Sequence, residues 1–298
     1  MAAKVNVIVF LSVLAFAFAA SQTVPIVIWH GMGDSCCNPL SMGSIKKLLE
    51  REVKGVYVRS LEIGDGIVED TENGFLMNAN DQISLVCSKL KNDSKLAAGY
   101  NSIGFSQGGQ FLRAVAQRCP SPPMLNLISV GGQHQGVYGF PKCPGDNATL
   151  CNIVRQLLNY GAYVSFVQDH LVQAEYWQDP LNLEEYRKYS VFLADINQEQ
   201  TVKPSYKENL LKLKNLVLIK FLQDTMVQPR ESEWFGFYAP GQTKDILPMN
   251  QTKIWTEDRL GLQTLNSSGR LHFLSSDTDH LQFTETWFIE NVVNKFLK

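Results

Sequence analysis

Between Ser102 and Gly109 the chain reads Ser-Ile-Gly-Phe-Ser-Gln-Gly-Gly, so Ser106 sits at the centre of Gly-x-Ser-x-Gly. The stretch before it, Leu96 to Ile103, is small and apolar enough to end a buried strand. The stretch after it, Gln110 to Cys119, carries Phe111, Val115 and Cys119 at i, i+4 and i+8, the spacing of one helical face. Strand, tight turn and helix form the setting in which a serine is lifted clear of a sheet on a strained turn. In such a turn, a side chain at Gly104 or Gly108 would collide with the neighbouring strand and helix. The turn presents the Ser106 hydroxyl and points the Gln107 N–H into the cleft. An ordinary Gly-rich loop is the alternative, and the flanking strand and helix argue against it.

The rest of the chain repeats the strand-helix alternation. Val24 to Trp29 is a short continuous apolar run, as in a strand buried on both faces. It ends in His30-Gly31-Met32-Gly33, and Ile45, Leu48 and Leu49 then mark a helix. Val56 to Val58 reads as a second strand and the polar Asp65 to Asn73 as a loop. Ile83, Val86, Cys87 and Leu90 give an amphipathic helix. Leu125 to Val130 is another strand, closed by Gly131-Gly132. From Gln133 to Gln200 the alternation lapses. Leu150 to Val172 reads as helical and carries Tyr160, Tyr163 and Phe166, within an insertion or cap that extends to about residue 210. Strands resume at Leu216 to Leu222 and Leu271 to Leu274, and Thr284 to Leu297 is the closing helix. The pattern predicts an α/β fold: a mostly parallel sheet with helices on both faces, in one domain over residues 21–298 with a helical insertion. A chain of 298 residues that is 45% hydrophobic can bury such a core.

The compartment is written at the start. Residues 1–20 carry Lys4 and then an apolar run ending in Ala17-Phe18-Ala19, the form of a secretory signal peptide cut near Ala19 to Ser21. The run falls short of the ~20 residues a membrane span requires, so a soluble protein without a stable membrane anchor is expected. Six cysteines in an oxidising compartment suggest disulfides, with 15 possible pairings. Sequons at Asn92, Asn147, Asn250 and Asn266 are candidate N-glycosylation sites. A net charge of -2 without a basic run argues against nucleic acid as a partner, and the lack of Cys-x-x-Cys argues against structural zinc.

A serine hydroxyl needs a base to take its proton. In α/β-hydrolases the acid and then the histidine follow the serine, on loops after later strands. His30 and His134 lie in Gly-rich turns near the wrong strands, and His170 lies inside the insertion. His272 belongs to an apolar strand, which leaves His280, in a polar loop between the last strand and the last helix, as the favoured base. Asp224, directly after the Leu216 to Leu222 strand, is better placed as the acid than Asp245 or Asp258. Two N–H groups suit an oxyanion hole: Gln107, next to the serine, and Met32, in the loop after the first strand.

With these residues assembled, the chain resembles the lysosomal palmitoyl-protein thioesterases, members of the α/β-hydrolase superfamily. The likeness covers nearly the whole mature chain. It is carried by His30 to Pro39, Gly104 to Gly109, Gly131 to Gly136, Glu233 to Tyr238 and Asp279 to Gln282, and the adjacent cysteines indicate the type 1 branch. The resemblance implies a triad of Ser106, Asp224 and His280, oxyanion donors Met32 and Gln107, and an acyl-binding role for the insertion. It implies disulfides Cys36–Cys37, Cys87–Cys119 and Cys143–Cys151, of which the first is not one that residue spacing suggests. It further implies a monomer, lysosomal and open to secretion, that removes long-chain acyl groups from S-acylated cysteines and uses no metal or cofactor. One departure is visible: the family's sequon over the triad acid is absent from Gln223-Asp224-Thr225. An oxyester lipase and a non-catalytic lipid-binding protein are the competing readings.

Overall fold

The computed structural model describes residues 23–139, 156–158 and 160–298. The expected signal peptide, the expected Cys143–Cys151 disulfide, the Asn147 sequon and the start of the expected helical stretch from Leu150 lie outside the described residues.

Six parallel strands form the sheet: β1 (Ile26–Trp29), β2 (Val58–Ser60), β3 (Tyr100–Phe105), β4 (Met124–Val130), β5 (Asn215–Phe221) and, at its far edge, β8 (Leu271–Ser276). Their order is β2-β1-β3-β4-β5-β8. One register row runs Ile28, Ile103, Ile128, Val217 and His272 from β1 to β8. The runs are apolar throughout because both faces are covered. Ile28, Ile103, Ile128 and Val217 face helix α1 (Met42–Glu52) and the C-terminal helix through Leu49, Phe288 and Val292. Their neighbours Val27, Leu127, Leu216 and Leu218 face α3 (Ala79–Lys91) and α4 (Gln107–Arg118) through Ile83, Val86, Phe111 and Val115. The expected α/β class and parallel sheet are what the chain forms, and the arrangement is that of the α/β-hydrolase fold.

Several boundaries differ from expectation. The strand before Ser106 begins at Tyr100, because Leu96 closes a 3-10 turn over Ser94–Leu96. The helix after it starts at once, at Gln107. The second strand is Val58–Ser60. The supposed loop from Asp65 to Asn73 is largely helix α2 (Ile67–Leu76), whose Asp70 is fully buried. Its carboxylate accepts N–H bonds from Cys36 (2.7 Å) and Ile63 (2.6 Å) and faces His30 Nε2 at 3.2 Å, so a polar residue occupies the inward face of that helix. The helical stretch up to Val172 is broken: Ser165–His170 and Val172–Glu175 are separate helices with an extended Leu171 between them. The closing helix contains a π-helical turn at Ile289–Val293. A small antiparallel ribbon, β6 (Phe237–Tyr238) with β7 (Ile246–Leu247), was not anticipated. Among the described residues no strand element occurs between β4 and β5, and no helix is long and apolar enough to cross a membrane.

Candidate active site

Ser106 sits between β3 and α4 with φ 52° and ψ -123°, a conformation that is costly for a residue with a Cβ. The two glycines make it possible. A Cβ on Gly104 would lie 2.4 Å from the Gly108 carbonyl and the Gly109 nitrogen. One on Gly108 would lie 2.5 Å from the Trp29 carbonyl oxygen of β1. The obstacles are backbone atoms, which cannot swing aside, so the sequence spacing of these glycines follows from how tightly the turn wedges between strand and helix.

Opposite Ser106, the loop after β8 delivers His280. Its Nε2 stands 2.9 Å from Ser106 Oγ and its Nδ1 2.5 Å from Asp224 Oδ2. Asp224 leaves the end of β5, and its Oδ1 accepts the Met226 and Val227 N–H groups at 2.7 and 2.8 Å. With the carboxylate on Nδ1, that nitrogen carries the ring proton and Nε2 is left to accept from the serine. The two loops are tied together, because Asp279 Oδ1 accepts from both Thr225 N and His280 N at 2.8 Å. Burial works against the Asp224 charge, yet the hydrogen bonds with His280 and with the Val227 N–H hold its pKa down at about 2.

The other candidates fall elsewhere. His272 Nε2 bonds Asn215 Oδ1 at 2.7 Å on the sheet edge. His134 is buried against Ser129 Oγ and stacks on Phe235. His170 bonds the Phe166 carbonyl. Asp258 pairs with Lys207, and Asp245 is exposed. His30 does not reach the serine. It bridges Asp70 and the Gly31 carbonyl and so braces the loop that carries Met32. Burial lowers its proton affinity, but Asp70 outweighs this and the pKa is raised.

That loop abuts the nucleophile: a Cβ on Gly31 would come within 3.0 Å of Ser106 Cβ. Gln107 occupies the first position of α4, where a backbone N–H has no partner within the helix. Its side chain donates to the Gly74 carbonyl (2.9 Å) and accepts from Tyr176 Oη (3.1 Å), fastening α2 and the segment between β4 and β5 to the turn. Ser106 and His280 open into a cleft of about 720 Å³, whose apolar lining includes Ile45, Phe105, Val137, Leu158 and Trp177. Tyr160, Tyr163 and Phe166 of the insertion do not line it. Tyr160 and Phe166 are 74% and 61% exposed, and Tyr163 turns inward to bond the Trp177 carbonyl. The helix is too short and too interrupted for one periodic stripe to decide its inner face.

Asp224, Glu233 and His280 each place one ligand-type atom within 4.8 Å of the others. Both His280 ring nitrogens are already engaged by Ser106 and Asp224, so this donor set does not suit a metal. Cys36, Cys37 and Glu62 also cluster, but their sulfurs are joined as a disulfide. The second bond, Cys87–Cys119, joins the C-terminal half of α3 to the end of α4. The sequon residues Asn92, Asn250 and Asn266 are exposed. Asp70, Glu233 and Tyr176 went unrecognised in the sequence. Only the helical phase of Asp70 and the position of Glu233 soon after the acid hinted at them.

A family profile described as palmitoyl protein thioesterase matches residues 25–280. The chain is 58% identical over 277 residues to palmitoyl-protein thioesterase 1 of Caenorhabditis elegans, covering 93% of each chain. It is 37% identical to palmitoyl-protein thioesterase 3 of Dictyostelium discoideum, over 92% of this chain and 90% of that one. It is also 30% identical to a Drosophila melanogaster protein named as a homologue of lysosomal thioesterase PPT2, over 83% of this chain and 82% of that one.

Proposed function

The chain belongs to the palmitoyl protein thioesterase family, and from that premise we propose that it hydrolyses long-chain acyl thioesters, removing palmitate from S-acylated cysteines of proteins. The observation that carries this reading is the contact of Ser106 Oγ with His280 Nε2, backed by Asp224 on Nδ1, at the mouth of an apolar cleft.

In this mechanism Ser106 Oγ attacks the acyl carbonyl carbon as its proton passes to His280 Nε2. The Met32 and Gln107 N–H groups stabilise the charge that develops on the carbonyl oxygen. The carbon–sulfur bond then breaks and the cysteine sulfur departs, taking the proton from His280. Water attacks the acyl-serine ester with His280 again as base, releasing the fatty acid and restoring Ser106. Asp224, ionised and buried, holds the ring in the productive tautomer throughout. The cleft takes the acyl chain, and the segment from Gln133 to about residue 210 supplies part of its wall through Val137, Leu158 and Trp177. A lysosomal setting is supported by the signal-like N-terminus, the exposed sequons and the lysosomal name of one relative.

The test compares matched palmitoyl thioester and palmitoyl oxyester substrates, alongside labelling by a serine-reactive fluorophosphonate. The thioester should be preferred, and Ser106→Ala should abolish both hydrolysis and labelling. Preference for the oxyester would make the protein a lipase, and a folded protein that neither labels nor turns over would make it a lipid binder.

A further inference from the structure

Behind Asp224 lies a second carboxyl group that the mechanism above does not use. Glu233 is 1% exposed, in the 3-10 turn Arg230–Trp234 that follows β5. Its Oε2 accepts the Phe221 N–H at 2.8 Å. Its Oε1 is buried and meets no N–H or O–H donor among the described residues. The Glu233 carboxylate, the Asp224 carboxylate and the His280 ring each bring one oxygen or nitrogen within 4.8 Å of the others. Two ionised carboxylates cannot bond each other and repel at this range, whereas one proton placed between them turns an orphaned acceptor into a donor.

We propose that Glu233 is a positioning residue for this site: a neutral carboxylic acid whose Oε1–H donates to the Asp224 carboxylate, fixing its orientation and drawing off part of its charge. The proposal rests on the triad reading of Ser106, His280 and Asp224. The surroundings agree with it. Burial first, and then Asp224, push the Glu233 carboxyl well above the usual carboxylate range. Lys220 on β5 opposes this and does not prevail, its ammonium lying 4.2 Å from the Trp234 ring. The remaining groups from the packed elements are Arg230 and Glu231 of the same turn, paired with each other, Asp279 bound to Thr225, and His134, which burial and Arg113 keep well below its usual range. None supplies Oε1 with a donor. The consequence is functional. A second acid stands beside the base without adding negative charge, and the charge that Asp224 presents to the imidazole is reduced.

Glu233→Gln retains both bonds, since the amide can donate to Asp224 and accept from Phe221. Glu233→Leu retains neither. With a palmitoyl thioester, Glu233→Gln should keep kcat within about threefold and leave the acid limb of kcat/KM in place. Glu233→Leu should lower kcat about tenfold at constant KM and move the acid limb to higher pH. Infrared difference spectra at neutral pH should show the carbonyl stretch of a buried protonated acid that Glu233→Gln removes. The proposal is overturned if Glu233→Gln moves the acid limb to lower pH, which would mean an ionised Glu233. It is equally overturned if Glu233→Gln loses as much activity as Glu233→Leu, or if Glu233→Leu leaves the profile untouched. Should Glu233→Leu not fold, the Glu233→Gln profile and the infrared band decide. The band reports the proton on Glu233 even if Ser106→Ala were to retain turnover and the triad reading failed.

Discussion

The imidazole of His280 and the hydroxyl of Ser106 are 174 residues apart in the chain and 2.9 Å apart in space. The sheet closes that gap. β3 carries the serine to the C-terminal edge, and β8, two strands beyond β4 in the same parallel sheet, delivers the histidine to the same edge. Because the two side chains act as one unit, Ser106→Ala and His280→Ala should each reduce kcat by about four to six orders of magnitude in a folded protein. His272→Ala loses a bond to Asn215 and an edge contact with Phe296, and should cost about 1–2 kcal/mol of stability with turnover retained. Steady-state kinetics with thermal melts of the three variants decide this. A folded His272→Ala without activity would remove His280 from its role.

The nucleophile turn should tolerate no side chain at its first glycine. Gly104→Ala places a Cβ 2.4 Å from backbone atoms of α4, and strand and helix must separate to admit it. We expect a loss of about 3 kcal/mol or failure to fold. Gly55→Ala provides a control, since its Cβ meets nothing within 4 Å and only its positive φ is penalised. Denaturant unfolding of both variants measures the difference.

Stability should fall from mildly acidic to mildly alkaline pH. The carboxyls of Glu175, Glu199 and Glu233 are raised chiefly by burial, and His30 is raised because Asp70 outweighs its burial. Each holds in the folded state a proton that the unfolded chain releases at about 4.3 for Glu or 6.5 for His. Their contribution is therefore complete below those values and is lost as pH rises through the higher folded ones. Asp70, Asp195 and Asp224 are lowered by their partners, and their contribution fades only as pH falls below about 3.9. His134, kept low by burial and Arg113, works the other way, its contribution present above about 6.5 and lost as pH falls below it. The three glutamates and His30 together outweigh it, so melting temperature should fall from about pH 6 toward pH 8. Glu175→Gln should flatten that fall, and a Tm that climbs from about pH 6 to 8 would contradict these protonation states.

The cleft should read acyl length. Each buried methylene contributes about 0.8 kcal/mol, so kcat/KM should rise by about fourfold per methylene until the cleft is full. Leu158 lines the cleft, whereas Gly161 and Ala162 do not. Leu158→Trp should therefore lower kcat/KM for palmitoyl thioester while sparing octanoyl. Kinetics on a chain-length series below the micelle concentrations provide the measurement, and equal rates for acetyl and palmitoyl would exclude an acyl cleft.

Much of this architecture is local and so is legible in the sequence. Gly104, Ser106 and Gly108 are close in the chain, and the turn they allow is decided by their own backbone sterics. Continuous apolar runs such as Ile26–Trp29 announce strands covered on both faces. The position of Asp224 after β5 and of His280 after β8 follows from strand order, because a parallel sheet brings those ends to one edge. What tertiary structure alone decided concerns which distant groups meet. Asp70 looked like part of a solvated loop because its partners, Cys36 and His30, are 34 and 40 residues away. Tyr160 and Phe166 look like groove residues by composition, yet periodicity fixes a side chain only relative to its own helix axis, and packing turned both outward. Glu233 is marked in the sequence only by its closeness to Asp224. Its meaning comes from a buried carboxylate placed beside it by a turn, where a low-dielectric setting makes one shared proton worth more than two charges.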